Sequence, residues 1–284
     1  MTRTIQIFII TILTILAYTN IFWNGFVIDD QYFIKDRNTD PPSQLGVFRP
    51  IRSLLYSFYF QIWGTENPTG YHFHSLAVHL LSAILVYLIC TKVFPKAALT
   101  TGVLFTLHPI HTESITYIAA SMEMVGVLFM LLSFYLYLKS RNISSYLFAS
   151  LAFFTYEMTL TLPLILILYE WQLGNHNWKK VMPIGILMGT YLFVRIGVFH
   201  ISPARGDYLA YSFYHTQLTM IQMWVKYIWM LIWPMSLSHN QTILPGFEAF
   251  MTPYSDLRVV LNQTIFDPLI LGAMSVIGGI WIVG

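Results

Sequence analysis

Two adjacent carboxylates, Asp29 and Asp30, stand in NGFVIDDQYFIKD (residues 24–36), directly after an apolar run. The stretch LHPIHTES adds His108, His111 and Glu113, and Glu123, Glu157 and Arg195 fall in or beside later apolar runs. A carboxylate or imidazole within hydrogen-bond reach of a hydroxyl can act as a general base. A guanidinium can fork onto a phosphate. Two readings of the Asp pair stand side by side. In one, Asp29 caps a short helix through backbone N–H groups. In the other, one Asp points into a cavity as a base or divalent-metal ligand while its neighbour orients the loop. His108 and His111, three residues apart, could share a helix face and a metal ion. Pro109 between them argues instead for a helix break, with the imidazoles held by backbone hydrogen bonds. His72, His74 and His79, in YHFHSLAVH, read as polar anchors at a membrane interface, with His72 or His74 reaching the pocket as the alternative. Arg195, in YLFVRIGVFH, either snorkels to headgroups or pairs with a phosphate.

These groups need elements to position them, and composition says what kind. Of the 284 residues, 56% are hydrophobic and only 10% charged, where soluble domains carry about 25% charged residues. The chain therefore reads as an all-α integral membrane protein. Its basic residues are dispersed, which excludes a nucleic-acid footprint. Cys90 is the only cysteine, so no internal disulfide framework exists, and it reads as a small buried apolar residue. Apolar runs near 5–23, 73–94, 97–110, 122–139, 144–156, 158–173, 181–200, 221–235 and 267–284 predict about nine spans in a single domain over 1–284. The stretch RPIRSLLYSFYFQIW (49–63) is too short to cross comfortably and predicts an amphipathic helix lying in the interface, within a first outer loop of 24–72.

Orientation follows from the short loops. Arg3, Lys92/Lys96, Lys139/Arg141 and Lys179/Lys180 fall on one side if the spans alternate, and that side is cytoplasmic. Asp29, Asp30, His108, His111, Glu113, Glu123 and Glu157 then meet on the opposite, extracytoplasmic side of a cell membrane or endoplasmic-reticulum-type membrane. The chain stops at Gly284 inside an apolar run, which predicts a fragment of a longer protein. No CxxC, HExxH, GxSxG or Gly-rich phosphate loop is present, so soluble-enzyme signatures offer nothing.

The motifs NGFVIDD, RPIRSLLYSFYF, GYHFHSLAVHLLSAILVYL, LFTLHPIHTESITYIAASMEMVGVLFMLLSFYLYLK, YEMTLTLPLILILYEW, YLFVR and WPMSLSHN follow one another in this order. Together they resemble the membrane half of the transmembrane and tetratricopeptide-repeat O-mannosyltransferases, of the GT-C class. The resemblance implies a multi-span bundle that moves a sugar from a polyprenyl-phosphate donor to an acceptor hydroxyl, with inversion. It also implies that the acidic residue of the first loop, here Asp29 or Asp30, is the base. Arg49, Arg195, His108 and His111 become candidates for the donor phosphate, with Glu113, Glu123 and Glu157 lining the pocket. A divalent metal stays an option and no other cofactor is implied; the partners are the lipid donor, membrane lipid and an acceptor protein or glycan.

Two positions depart from that pattern. Relatives commonly carry Arg before the Glu of SMEM and Lys before the Glu of YEMT, where this chain has Met122 and Tyr156. Two competing functions follow: a non-catalytic membrane scaffold related to these enzymes, and a lipid-linked-sugar transporter. A transporter should show related halves with matching broken helices, and no such internal similarity is visible.

Overall fold

The computed structural model describes residues 1–27, 29–35, 48–173, 176–201, 213–234 and 237. The span expected at 267–284 and most of WPMSLSHN lie outside the described residues. Every regular element among the described residues is helical. The chain divides into two compact units, residues 1–204 and 205–284. In the second, the described element is one helix, α10 (Phe213–Ile232).

The first unit runs α1 (Arg3–Tyr18), α2 (Pro50–Trp63), α3 (Thr69–Val93), α4 (Ala98–Leu107), α5 (Thr112–Thr116), α6 (Ile118–Leu138), α7 (Asn142–Phe153), α8 (Leu162–Gln172) and α9 (Trp178–Leu192). Their limits have local causes. Pro50 opens α2, where a missing N–H costs nothing. Gly64, at φ +67°, closes it by donating its N–H to Phe60 O; a side chain at that φ would be strained. α4 stops at Leu107 because His108 precedes a proline and is extended, and a 3-10 turn over Pro109–His111 leads into α5. The helix break expected at Pro109 is found there. α9 continues through a π-helical turn, Phe193–Val198, which carries Arg195.

Four helical stretches are long and apolar enough to cross a membrane: Arg3–Trp23, Thr69–Val93, Ile118–Leu138 and Trp178–Val198. At 1.5 Å per residue, α3 reaches about 38 Å against a hydrocarbon core of about 30 Å. α4, α7 and α8 have 10, 12 and 11 residues and reach only about 15–18 Å each.

α6 is the organising helix: it packs against α3 on one side and α7 on another, while α1 lies on α3 and α4, and α9 on α7 and α8. Two clusters bear on the site. Phe33, Ile34, Tyr56, Tyr71, Ile118, Ala119 and Met122 join the first loop, α2 and α3 to the start of α6. Tyr137, Ala149, Phe153, Leu162, Leu166, Ile184 and Tyr191 join the end of α6 to α7, α8 and α9. Gly126 sets one close approach, because a Cβ there would sit 2.8 Å from Tyr156 Cβ.

Candidate functional site

The Asp pair diverges, and its members have different environments. Asp30 is fully buried, and its two carboxylate oxygens accept from Ala119 N–H at 2.8 Å and Val27 N–H at 3.2 Å. Ala119 lies in the first turn of α6, where unpaired N–H groups and the helix dipole favour an anion. Asp30 therefore caps a helix 89 residues further along the chain and pins the first loop to it. This corrects the capping alternative, which assigned that role to Asp29. Burial pushes the Asp30 carboxyl up to about 6, and the backbone N–H bonds only partly offset it. Asp29 is exposed, and its N–H donates to the Tyr117 hydroxyl at 3.3 Å. Burial, and then a hydrogen bond to the Asp29 side chain, hold the Tyr117 phenol well above its ordinary range.

Near the start of α6 lies a chain of alternating charge. Arg52 Nη1 is 3.0 Å from Glu123 Oε1, the same oxygen bonds Arg49, Arg49 Nε is 2.6 Å from Glu157 Oε2, and Arg195 Nη1 is 3.5 Å from Glu157 Oε1. Four separate segments contribute: the N-terminal end of α2, α6, the 3-10 turn Glu157–Thr161 and the π turn after α9. Among the described residues, three guanidiniums and two carboxylates alternate along this chain. Burial opposes the Arg49 charge, but Glu123 and Glu157 more than compensate and hold its pKa above the usual value. Aromatic faces back the cations, with Arg49 5.0 Å from the Tyr156 ring centroid and Arg52 5.0 Å from that of Phe33. Backbone ties hold the region to the bundle: Ile51 N–H donates to Phe154 O at 3.1 Å, and the Tyr191 hydroxyl to Phe48 O at 3.1 Å.

The two departures from the family pattern have structural places. Met122 is fully buried in the cluster with Tyr56 and Tyr71. Tyr156 supplies the ring under Arg49.

The histidines form a second group. His111 packs on Phe105 (ring centroids 4.4 Å apart) and His79 (5.3 Å), and His79 Nε2 bonds Thr106 O at 3.2 Å. A cavity of about 100 Å³ lies beside them, lined in part by Ser75, Ser82, Ser114 and Met124. Burial first, then His79 and His108, press the His111 pKa down to about 4, so it is neutral at pH 7. His108 Nδ1 accepts from Ile110 N–H at 3.2 Å, and Glu113 is exposed. Among the described residues no group of three or more His, Cys, Asp or Glu side chains could hold a metal ion. The expected interface anchors His72 and His74 are instead buried: His72 Nε2 bonds Asn24 O at 3.0 Å and His74 Nδ1 the Tyr59 hydroxyl at 2.7 Å. They fasten α3 to the first loop and to α2.

Sequence reasoning missed Arg52, Tyr56 and Tyr117 as members of this region. Arg49, Arg52 and Tyr56, at i, i+3 and i+7, share one helix face, and that spacing was the available signal. Tyr117 carried no signal, because its role comes from a contact with a residue 88 positions away.

No family model and no solved structure matches the chain. Among curated proteins, it is 21% identical over 303 residues to a protein O-mannosyl-transferase of Caenorhabditis elegans, covering 94% of this chain and 43% of that protein. It is 23% identical over 229 residues to protein O-mannosyl-transferase tmtc2 of Xenopus laevis, covering 77% of this chain and 25% of that protein. With protein O-mannosyl-transferase TMTC3 of Homo sapiens the identity is 26% over 155 residues, 44% of this chain and 16% of that one. The chain thus spans less than half the length of these relatives. Its homologues are named protein O-mannosyl-transferases, the family that its own motifs resemble.

Proposed function

We propose that this chain is the membrane half of a GT-C-type glycosyltransferase, transferring a mannose-like sugar from a polyprenyl-phosphate donor to an acceptor hydroxyl with inversion. The single observation that carries the reading is the alternating Arg–Glu chain at the same end of α6 that the first-loop aspartates contact, in a chain whose homologues are named O-mannosyl-transferases. The acceptor oxygen attacks the anomeric carbon as the bond from that carbon to the phosphate oxygen breaks. The hydroxyl proton passes to Asp29, and the polyprenyl phosphate leaves with its negative charge facing Arg49 and Arg195. A phosphate is already a good leaving group, so no acid is needed to protonate it. Asp29 is the base because it is exposed and accessible, whereas Asp30 spends both oxygens on backbone N–H groups. Tyr117 orients Asp29. Glu123 and Glu157 hold the arginines in place, while His108, His111 and Glu113 stay with the separate histidine group.

In this reading the chain is one domain of about nine spans with a cytoplasmic N-terminus and an extracytoplasmic site. α2 lies in the membrane interface: its outward stripe Leu54, Phe58 and Ile62 is 64%, 56% and 54% exposed, while its other face carries Arg49, Arg52 and Tyr56. The acceptor is a protein hydroxyl, in keeping with the names of the homologues. A second reading, a non-catalytic scaffold, is favoured by one observation: Met122 and Tyr156 stand where two basic residues are expected, and both are built into packing. Reconstituted membranes given a panel of polyprenyl-phosphate sugars and an acceptor peptide separate the two. Glycopeptide formation with stoichiometric release of prenyl phosphate supports the transferase; donor binding with no product under any pairing supports the scaffold.

A further inference from the structure

Glu157 holds a position that an oxyanion would take. One of its oxygens accepts from Arg49 at 2.6 Å and the other faces Arg195 at 3.5 Å, so a single carboxylate bridges two guanidiniums. That is also how a phosphate binds between arginines. The two carboxylates of the charge chain differ in how firmly they are held. Glu123 projects from within the rigid α6 and is gripped by Arg49 and by Arg52, a side chain only 5% exposed. Glu157 projects from a 3-10 turn that follows the extended Tyr156, and its contact with Arg195 is longer than the 2.7–2.9 Å usual for a charge-assisted bond. If Glu157 let go, Arg49 would keep Glu123 on one side and the Tyr156 ring on the other.

We propose that Glu157 is a built-in stand-in for the phosphate, closing the Arg49–Arg195 gap at rest and yielding it to an incoming phosphate monoester or diester. The idea rests on the reading that this end of α6 receives the donor phosphate, and it adds that binding there is an exchange of anions. A carboxylate that assists binding and one that competes with it make opposite predictions. Removing the competitor tightens the site; removing an assistant weakens it.

The test uses the full chain in detergent, with farnesyl phosphate and inorganic phosphate as separate probes and affinity read by titration calorimetry. Glu157→Gln is expected to bind farnesyl phosphate about tenfold more tightly than the native chain. Glu123→Gln makes the same change in charge and is expected to gain less than about threefold, since that carboxylate is not displaced. A matching gain for inorganic phosphate identifies any phosphate as the ligand; a gain confined to farnesyl phosphate identifies a lipid headgroup. Unchanged or weaker binding by Glu157→Gln, or an equal gain in Glu123→Gln, overturns the proposal. Should Glu157→Gln lose its monodisperse profile, Glu157→Asp takes its place, with a smaller gain expected from the withdrawn carboxylate and no gain counting against the idea. The transferase reading fails separately: tightened binding without sugar transfer would sink the transferase and leave the stand-in intact.

Discussion

The two ends of α6 each hold a shielded carboxylate, and they hold it differently. Near the start, Glu123 and, beside it, Glu157 are bound by arginines. Near the end, Glu170 from α8 is only 4% exposed and accepts from the Tyr137 hydroxyl at 2.6 Å and from Asn177 N–H at 2.8 Å. Neutral donors in fixed positions turn Glu170 into a staple between α6, α8 and the entry to α9. Arginines on two segments gather glutamates from two others, the arrangement in which we propose that one anion replaces another. Buried charge by itself therefore does not mark a site. The partners decide whether the group can exchange.

The largest expected effect breaks the start of α6. Arg49→Ala removes the shared partner of Glu123 and Glu157 and breaks the ion pairs that join them. It should destabilise the chain by about 3 kcal/mol, seen as a fall in melting temperature in detergent, and abolish sugar transfer. Next comes Gly126→Ala. Its Cβ would meet Tyr156 Cβ at 2.8 Å, and pushing the Tyr156–Glu157 segment away should cost about 1–3 kcal/mol and reduce transfer. At the other end, Tyr137→Phe removes one neutral hydrogen bond from Glu170 and should cost about 1 kcal/mol while transfer per folded molecule is retained. Loss of transfer there would erase the contrast between the two ends.

The smallest effect concerns pH. The Asp30 carboxyl is raised from 3.8 to about 6 in the fold, so the folded chain binds its proton more tightly than the unfolded chain does. The stability this contributes is fully present below about pH 4 and lost as pH rises through about 6. Between pH 7 and pH 5 the native melting temperature should therefore rise by about 2–4 °C relative to Asp30→Asn measured over the same interval.

Much of the scaffold was legible in the residues. The long apolar runs near 73–94 and 122–139 became α3 and α6, and each begins four residues earlier than expected. The early starts have causes that hydropathy does not register: His72 and His74 are polar by type but buried by pairing, and the first turn of α6 is capped by Asp30. The residue types gathered at the start of α6 were legible as well. Their pairings were not, since Arg49 reaches partners 74 and 108 positions away that only helix packing brings near. Which of two neighbouring aspartates turns inward depends on one short turn of loop, so the division of labour between Asp29 and Asp30 was invisible. Glu170 was passed over because a lone Glu at the end of an apolar run looks like an exposed helix terminus until Tyr137 and Asn177 are placed around it.

In the proposed function Asp29 works on the acceptor, and Asp30 works on the fold. The most direct measurement compares Asp29→Asn and Asp30→Asn for transfer from a polyprenyl-phosphate sugar in reconstituted membranes, alongside the melting temperature of each. Asp29→Asn is expected to melt like the native chain and to lose at least about 100-fold in turnover, the usual worth of a positioned base. Asp30→Asn should instead show altered melting and keep turnover within about tenfold once corrected for folded protein. The opposite pattern, with Asp29→Asn active and Asp30→Asn folded but inert, would contradict it.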